Sequence, residues 1–219
     1  MSKRVAFIHT VAGLAATFKD LSAEFIPGVD CFHMVDESLL QNTIRSGELS
    51  RTTMRRLAGM LASAQEAGAE IIMVTCSSLG PAVEAARPLM DIPVLRVDEA
   101  MARQAVQMGA RVGVAATLRT TLEPTTELVR AQARAAAKDV TVIPRLCEGA
   151  FEAVLAGDTA THDRLVAEGL RDLMDRCDVI VLAQASMARV VEGLDQSERR
   201  VPVLSSPRLG MAELAEKIR

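Results

Sequence analysis

Glu70-Ile71-Ile72-Met73-Val74-Thr75-Cys76-Ser77-Ser78-Leu79-Gly80 is the stretch that decides the fold. An apolar run this short, ending in a thiol, two hydroxyls and a glycine, predicts a strand buried on both faces of a parallel sheet. Ser77 or Ser78 is then placed to cap a helix beginning near Pro81. The Cys76 thiol falls at the carboxyl end of a central strand, the edge where open α/β sheets bind ligands. Free helix N–H groups beside it would favour the thiolate.

The same pattern occurs twice. Asp178–Ser186 (DVIVLAQAS) repeats Glu70–Ser78 (EIIMVTCSS), and Arg111–Thr117 (RVGVAAT) repeats Arg4–Thr10 (RVAFIHT). Val140–Cys147 matches Val29–Asp36, and Pro202–Leu204 matches Pro93–Leu95. Helical stretches separate the strands: Val11–Phe25, Ser38–Ser46, Ser50–Ala67, Pro81 to about Met90, and Glu99–Met108. Internal matching of this kind predicts two pseudo-symmetric, flavodoxin-like α/β lobes, each a parallel sheet with helices on both faces. The expected boundaries are residues 1–98 with 208–219 for the first lobe and 99–207 for the second. The last helix, Leu209–Ile218, is expected to return to the first lobe, and the active site to lie in the interlobe cleft.

Composition narrows the function. Hydrophobic residues are 49% and charged residues 24% of 219, ordinary for a globular protein. The net charge of −3 comes without a charged block, and aromatics are 2% with no Trp or Tyr. Neither nucleic acid nor a membrane surface is therefore an expected partner. The four cysteines, Cys31, Cys76, Cys147 and Cys177, are scattered without CxxC or His spacing, so no metal site is expected. The opening residues lead straight into an apolar strand, and no run reaches transmembrane length; the expectation is a cytoplasmic protein. A homo-oligomer is left open.

The strand ends supply the candidate residues. In the first lobe these are His9, Thr10, Asp36, Thr75, Cys76, Ser77 and Ser78. In the second they are Thr117, Thr120, Thr121, Cys147, Glu148, Gln184, Ala185 and Ser186. Hydroxyls at helix starts suit a small carboxylate. No glycine-rich phosphate fingerprint follows any strand, so a site without a cofactor is expected. Cys76, His9 and Cys147 are the catalytic candidates. His9 has a side chain suited to proton exchange at neutral pH. Cys147, at a strand end, is either a second thiol or a small buried hydrophobe. Asp36 and Glu148 read as helix caps or substrate ligands, Cys31 and Cys177 as packing residues, and Arg51, Arg55 and Arg56 as a solvated face.

Taken together, the two lobes, Thr75–Ser78, Ala116–Thr121 and Val181–Met187 resemble the cofactor-independent aspartate/glutamate/hydantoin racemase superfamily. The resemblance implies a PLP-independent isomerase with two cysteines, one removing a proton and the other returning it on the opposite face. It places the first at Cys76, an anion loop at Thr117–Thr121, and the second at position 184, where this chain has Gln184. An amide has no proton-transfer pKa near neutrality. Racemisation, a one-thiol decarboxylation or cis–trans isomerisation, and a non-catalytic small-acid sensor all remain open at this point.

Overall fold

The computed structural model describes residues 3–219 and divides into two compact units. One runs up to Glu99 and resumes at Pro207–Arg219; the other is Ala100–Ser206.

In the first unit, β1 (Arg4–His9), β2 (Asp30–Val35), β3 (Ile71–Val74) and β4 (Val94–Arg96) form a parallel sheet in the order β2-β1-β3-β4. Alternation along β1 divides its side chains between two cores. Ala6 and Ile8 join Leu57 and Leu61 of α3 (Arg51–Glu66) and Leu39 of α2 (Glu37–Ser46). Val5 and Phe7 join Phe18 of α1 (Gly13–Phe25) with Met211 and Leu214 of α10 (Ser206–Ile218). Leu57 and Leu61 are fully buried; truncating either to alanine should cost about 2–5 kcal/mol.

The second unit repeats this plan with β5 (Arg111–Ala116), β6 (Thr141–Leu146), β7 (Val179–Leu182) and β8 (Val203–Ser205), all parallel, in the order β6-β5-β7-β8. The helices are α5 (Glu99–Met108), α6 (Arg119–Ala135), α7 (Ala150–Leu155), α8 (Thr159–Met174) and α9 (Ala188–Gly193). Pro144, which cannot donate to a ladder, sits on the edge strand β6, where one side of the strand is unpaired. The repeat reaches side chains: Glu70 accepts the Arg4 N–H at 3.3 Å, and Asp178 accepts the Arg111 N–H at 2.8 Å.

Several predicted ends shift inward. The stretch expected to be one helix from Pro81 to Met90 is α4 (Gly80–Ala86) followed by a 3₁₀ turn, Arg87–Leu89. Pro88 explains the break, since it removes an N–H and clashes with the preceding turn. Neither Ser77 nor Ser78 caps α4: both lie inside a 3₁₀ turn, Ser77–Leu79, and the helix starts without a side-chain cap.

Candidate active site

Strand ends and helix starts build the candidate site, and caps divide the helices into two sets. Asp36, Ser50 and Asp158 cap α2, α3 and α8 with their side chains. The helices after β1, β3, β5, β6 and β7 have none. Asp36 is thus a cap, accepting from the Ser38 N–H at 3.1 Å. It also holds Arg56 Nη2 at 2.5 Å; Arg56, like Arg51 and Arg55, is exposed, as expected of a solvated face. Glu148 is exposed before α7.

Cys76 follows β3 in extended conformation (φ −119°, ψ 109°) and opens the Ser77–Leu79 turn. Its sulfur is hydrogen-bonded by the Thr10 hydroxyl from the end of β1 and by the N–H groups of Leu79 and Ser78. The residue is partly exposed, yet the sulfur is enclosed, and burial pushes its pKa above the ordinary cysteine range. The three donors pull the other way, while the Asp98 carboxylate adds to the rise. This corrects the expected thiolate. Desolvation outweighs a short, one-turn N-terminus, and the resting group is a thiol.

His9 is fully buried rather than at an open strand mouth. Its Nδ1 meets Thr75 Oγ1 at 2.8 Å and its Nε2 meets His33 Nδ1 at 2.9 Å. The Thr75 hydroxyl donates to the Ile8 carbonyl at 3.1 Å, so it accepts from His9. That assigns Nδ1–H to His9 and leaves Nε2 to accept from His33. His9 and His33 stack with centroids 5.2 Å apart, and Phe7 stacks on His33 at the same separation. Burial, with the neighbouring His33, lowers the His9 pKa to about 4. Burial and then Lys19 lower that of His33. With both nitrogens engaged, His9 serves the Thr75–Cys76 strand end as a brace.

In the second unit, position 184 matches position 76. Gln184 is also extended (φ −130°, ψ 134°) and also opens a 3₁₀ turn, Ala185–Met187. Its Oε1 accepts the Thr117 N–H at 2.7 Å, and its Nε2 donates to Thr117 Oγ1 at 2.7 Å. Thr117, expected to bind substrate oxygens, therefore spends its N–H and a hydroxyl lone pair on Gln184. Thr120 and Thr121 lie in the first turn of α6; the Thr120 hydroxyl is buried without a hydrogen-bond partner. Ala185 is partly exposed and Ser186 exposed.

Cys147 does not lie open at its strand end. It is 3% exposed, within the core of the second unit, against α8. A Cβ at Gly169 would stand 2.6 Å from its Sγ, and burial raises its pKa to about 11. It packs as a small hydrophobe. Sequence reasoning missed three residues beside the candidate site: His33, Arg96 and Asp98. The charges in Val94–Asp98 (VLRVD) were the available signal for two of them.

Among the described residues, no three His, Cys, Asp or Glu side chains stand close enough to hold a metal ion. No helix among them is long and apolar enough to cross a membrane.

The duplicated parallel α/β fold carries a thiol and an amide at matching strand ends, and comparison with known families gives its class. The chain belongs to the Asp/Glu/hydantoin racemase family, whose model matches residues 10–214. Among solved structures it is similar to the glutamate racemase isoform RacE1 from Bacillus anthracis, with a TM-score of 0.78 at 16% identity over 99% of this chain and 81% of that one. It is similar to Picrophilus torridus aspartate racemase, with a TM-score of 0.73 at 13% identity over 99% and 94%. It is also similar to allantoin racemase from Klebsiella pneumoniae, with a TM-score of 0.69 at 19% identity over 99% and 87%. At these identities the likeness is one of fold. No curated protein matches the chain.

Proposed function

We propose that this protein is a racemase-like enzyme, independent of PLP, that moves a proton at the carbon α to the carboxylate of a small acid. Cys76 is its acid/base. The carrying observation is the asymmetry of the repeat: one strand end holds a thiol with three hydrogen-bond donors, and the matching one holds an amide tied to Thr117.

In the thiolate form, Cys76 takes the α-proton. The C–H electron pair passes into an enediolate and the proton goes to sulfur. Donors aimed at the developing charge stabilise that intermediate. Thr120, in the first turn of α6, has a buried hydroxyl with no hydrogen-bond partner and is the candidate for this role. Return of the proton from sulfur reaches the same face. Inversion needs a second donor on the other face, and Gln184 has no proton to give.

The amide at position 184, together with the protonated resting thiol, favours a second reading within the same site. A carbanion formed by loss of carbon dioxide needs one proton delivered to one face, and a thiol above its ordinary pKa is suited to deliver it. The test is deuterium exchange from solvent, followed by NMR across a panel of small amino and hydroxy acids. Exchange that disappears in Cys76→Ala supports the assignment. Inversion identifies a racemase, retention or carbon dioxide release a one-sided enzyme. Binding without turnover by any acid would replace the enzyme with a sensor.

A further inference from the structure

Two charges at the end of β4 lie away from water. Arg96 is 5% exposed and Asp98 fully buried. The guanidinium grips the carboxylate with both prongs, Nε to Oδ1 and Nη2 to Oδ2, each at 3.0 Å. Arg96 Nη1 meets Glu84 Oε1 of α4 at 3.4 Å, and the Arg96 N–H donates to Glu99 Oε2 at 3.3 Å. Arg87 holds Glu99 Oε2 at 2.7 Å and Glu84 Oε2 at 3.0 Å. The pair is thus braced from α4, from β4 and from the first turn of α5.

The guanidinium also lies flat on Gly80. A Cβ there would stand 2.3 Å from Arg96 Cζ and from Nη2. Gly80 closes the Ser77–Leu79 turn with its N–H on the Ser77 carbonyl. That turn supplies the N–H groups that reach the Cys76 sulfur, and the Asp98 carboxylate is close enough to act on the same thiol. Burying an ion pair seldom adds stability, because desolvation offsets the attraction. A role beyond stability accounts better for its place.

We propose that the Arg96–Asp98 pair positions Cys76, pinning the turn that carries the thiol's N–H donors and setting the charge beside it. The consequence for catalysis rests on the reading of Cys76 as acid/base; the pinning does not. Arg96 and Asp98 are positioning residues, acting through the turn. The charges packed about that turn are Arg96, Asp98, Glu84, Arg87 and Glu99.

The test is iodoacetamide alkylation of Cys76 in the folded chain across the neutral and alkaline range, mapped by mass spectrometry with Cys147 as internal reference. Asp98→Asn removes the negative charge, so the apparent thiol pKa should fall. Each unit of fall speeds alkylation at neutral pH about threefold, since more thiolate forms but each thiolate is less nucleophilic. If that variant does not fold, Arg96→Lys keeps a cation beside Asp98 but loses the two-pronged grip and the stacking on Gly80, and should slow Cys76 by misaligning its donors. Gly80→Ala changes no charge but displaces Arg96, and should slow Cys76 by misaligning its donors. A Cys76 profile that superimposes on the wild type in the folded variants, or moves the opposite way, overturns the proposal. Solvent exchange in Cys76→Ala is read separately, so loss of the catalytic assignment and loss of this one are distinguishable.

Discussion

Gln184 and Thr117 hold each other through two hydrogen bonds of 2.7 Å, the amide oxygen taking the threonine N–H and the amide nitrogen giving to its hydroxyl. Cys76 and Thr10 occupy the same two places in the first unit, where the threonine hydroxyl serves the thiol instead. One half of the repeat binds a reactive group; the other satisfies itself.

Gln184→Cys puts a thiol where the family resemblance places the second cysteine. It removes both bonds to Thr117, at a cost of about 1–2 kcal/mol. The variant should gain inversion of an acid that the wild type exchanges with retention, measured by chiral chromatography alongside deuterium NMR. A wild type that already racemises efficiently would count against the role given to Gln184.

The buried His9–His33 pair should make the protein acid-sensitive. The His9 pKa of about 4 lies below the 6.5 of an unstructured histidine, so the unfolded chain binds more protons between those values. The associated stability is complete above about pH 6.5 and is lost as the pH falls through about 4. It amounts to about 3 kcal/mol from His9, and His33 is shifted in the same direction. Melting temperatures taken down this range should drop more for the wild type than for His9→Asn, which begins less stable but has no ring to protonate at that position. Parallel curves would mean that His9 is not held neutral.

Gly169→Ala should reverse its sign with its background. In the wild type the new methyl meets Cys147 Sγ at 2.6 Å, an overpacking cost of about 1–3 kcal/mol. With Cys147→Ala the clash is gone, and replacing a mid-helix glycine gains about 1 kcal/mol. Denaturant midpoints of the four proteins in this cycle decide it. A stabilising Gly169→Ala in the wild-type background would place the thiol elsewhere.

Cys76 should alkylate more slowly than free cysteine at neutral pH, because burial favours its thiol form. It should still react before Cys147, because Cys76 is a partly exposed residue at a strand end while Cys147 is 3% exposed within the core. Mass mapping after brief iodoacetamide treatment gives the order. Earlier labelling of Cys147 would contradict its placement in the core.

The repeat was legible because four apolar runs recur in order with matching residues at their ends, and a buried parallel strand needs little more to declare itself. Cys76 was legible for the same reason. Its protonation was not, because desolvation depends on what surrounds the sulfur in three dimensions. Cys147 shows the same limit: a strand-end position says nothing about which face a helix covers, and α8 covers this one. The serines after Cys76 suggested a cap, but the chain forms a 3₁₀ turn before the helix starts. Arg96 and Asp98 were passed over because charges at the end of an apolar strand read as the place where it meets water.

The first sheet is roofed on one face by α10, whose Met211 and Leu214 pack with Phe7 and Met73, although its strands end at Arg96. Ala100–Ser206, by contrast, is a single uninterrupted stretch. A chain ending at Ser206 would therefore hold the whole second unit, while the first would keep α1 on that face but lack α10. A chain truncated after Ser206 should resist protease within Ala100–Ser206 and be cut around Phe7 and Met73. Equal protection of both regions would show that the first sheet closes without α10.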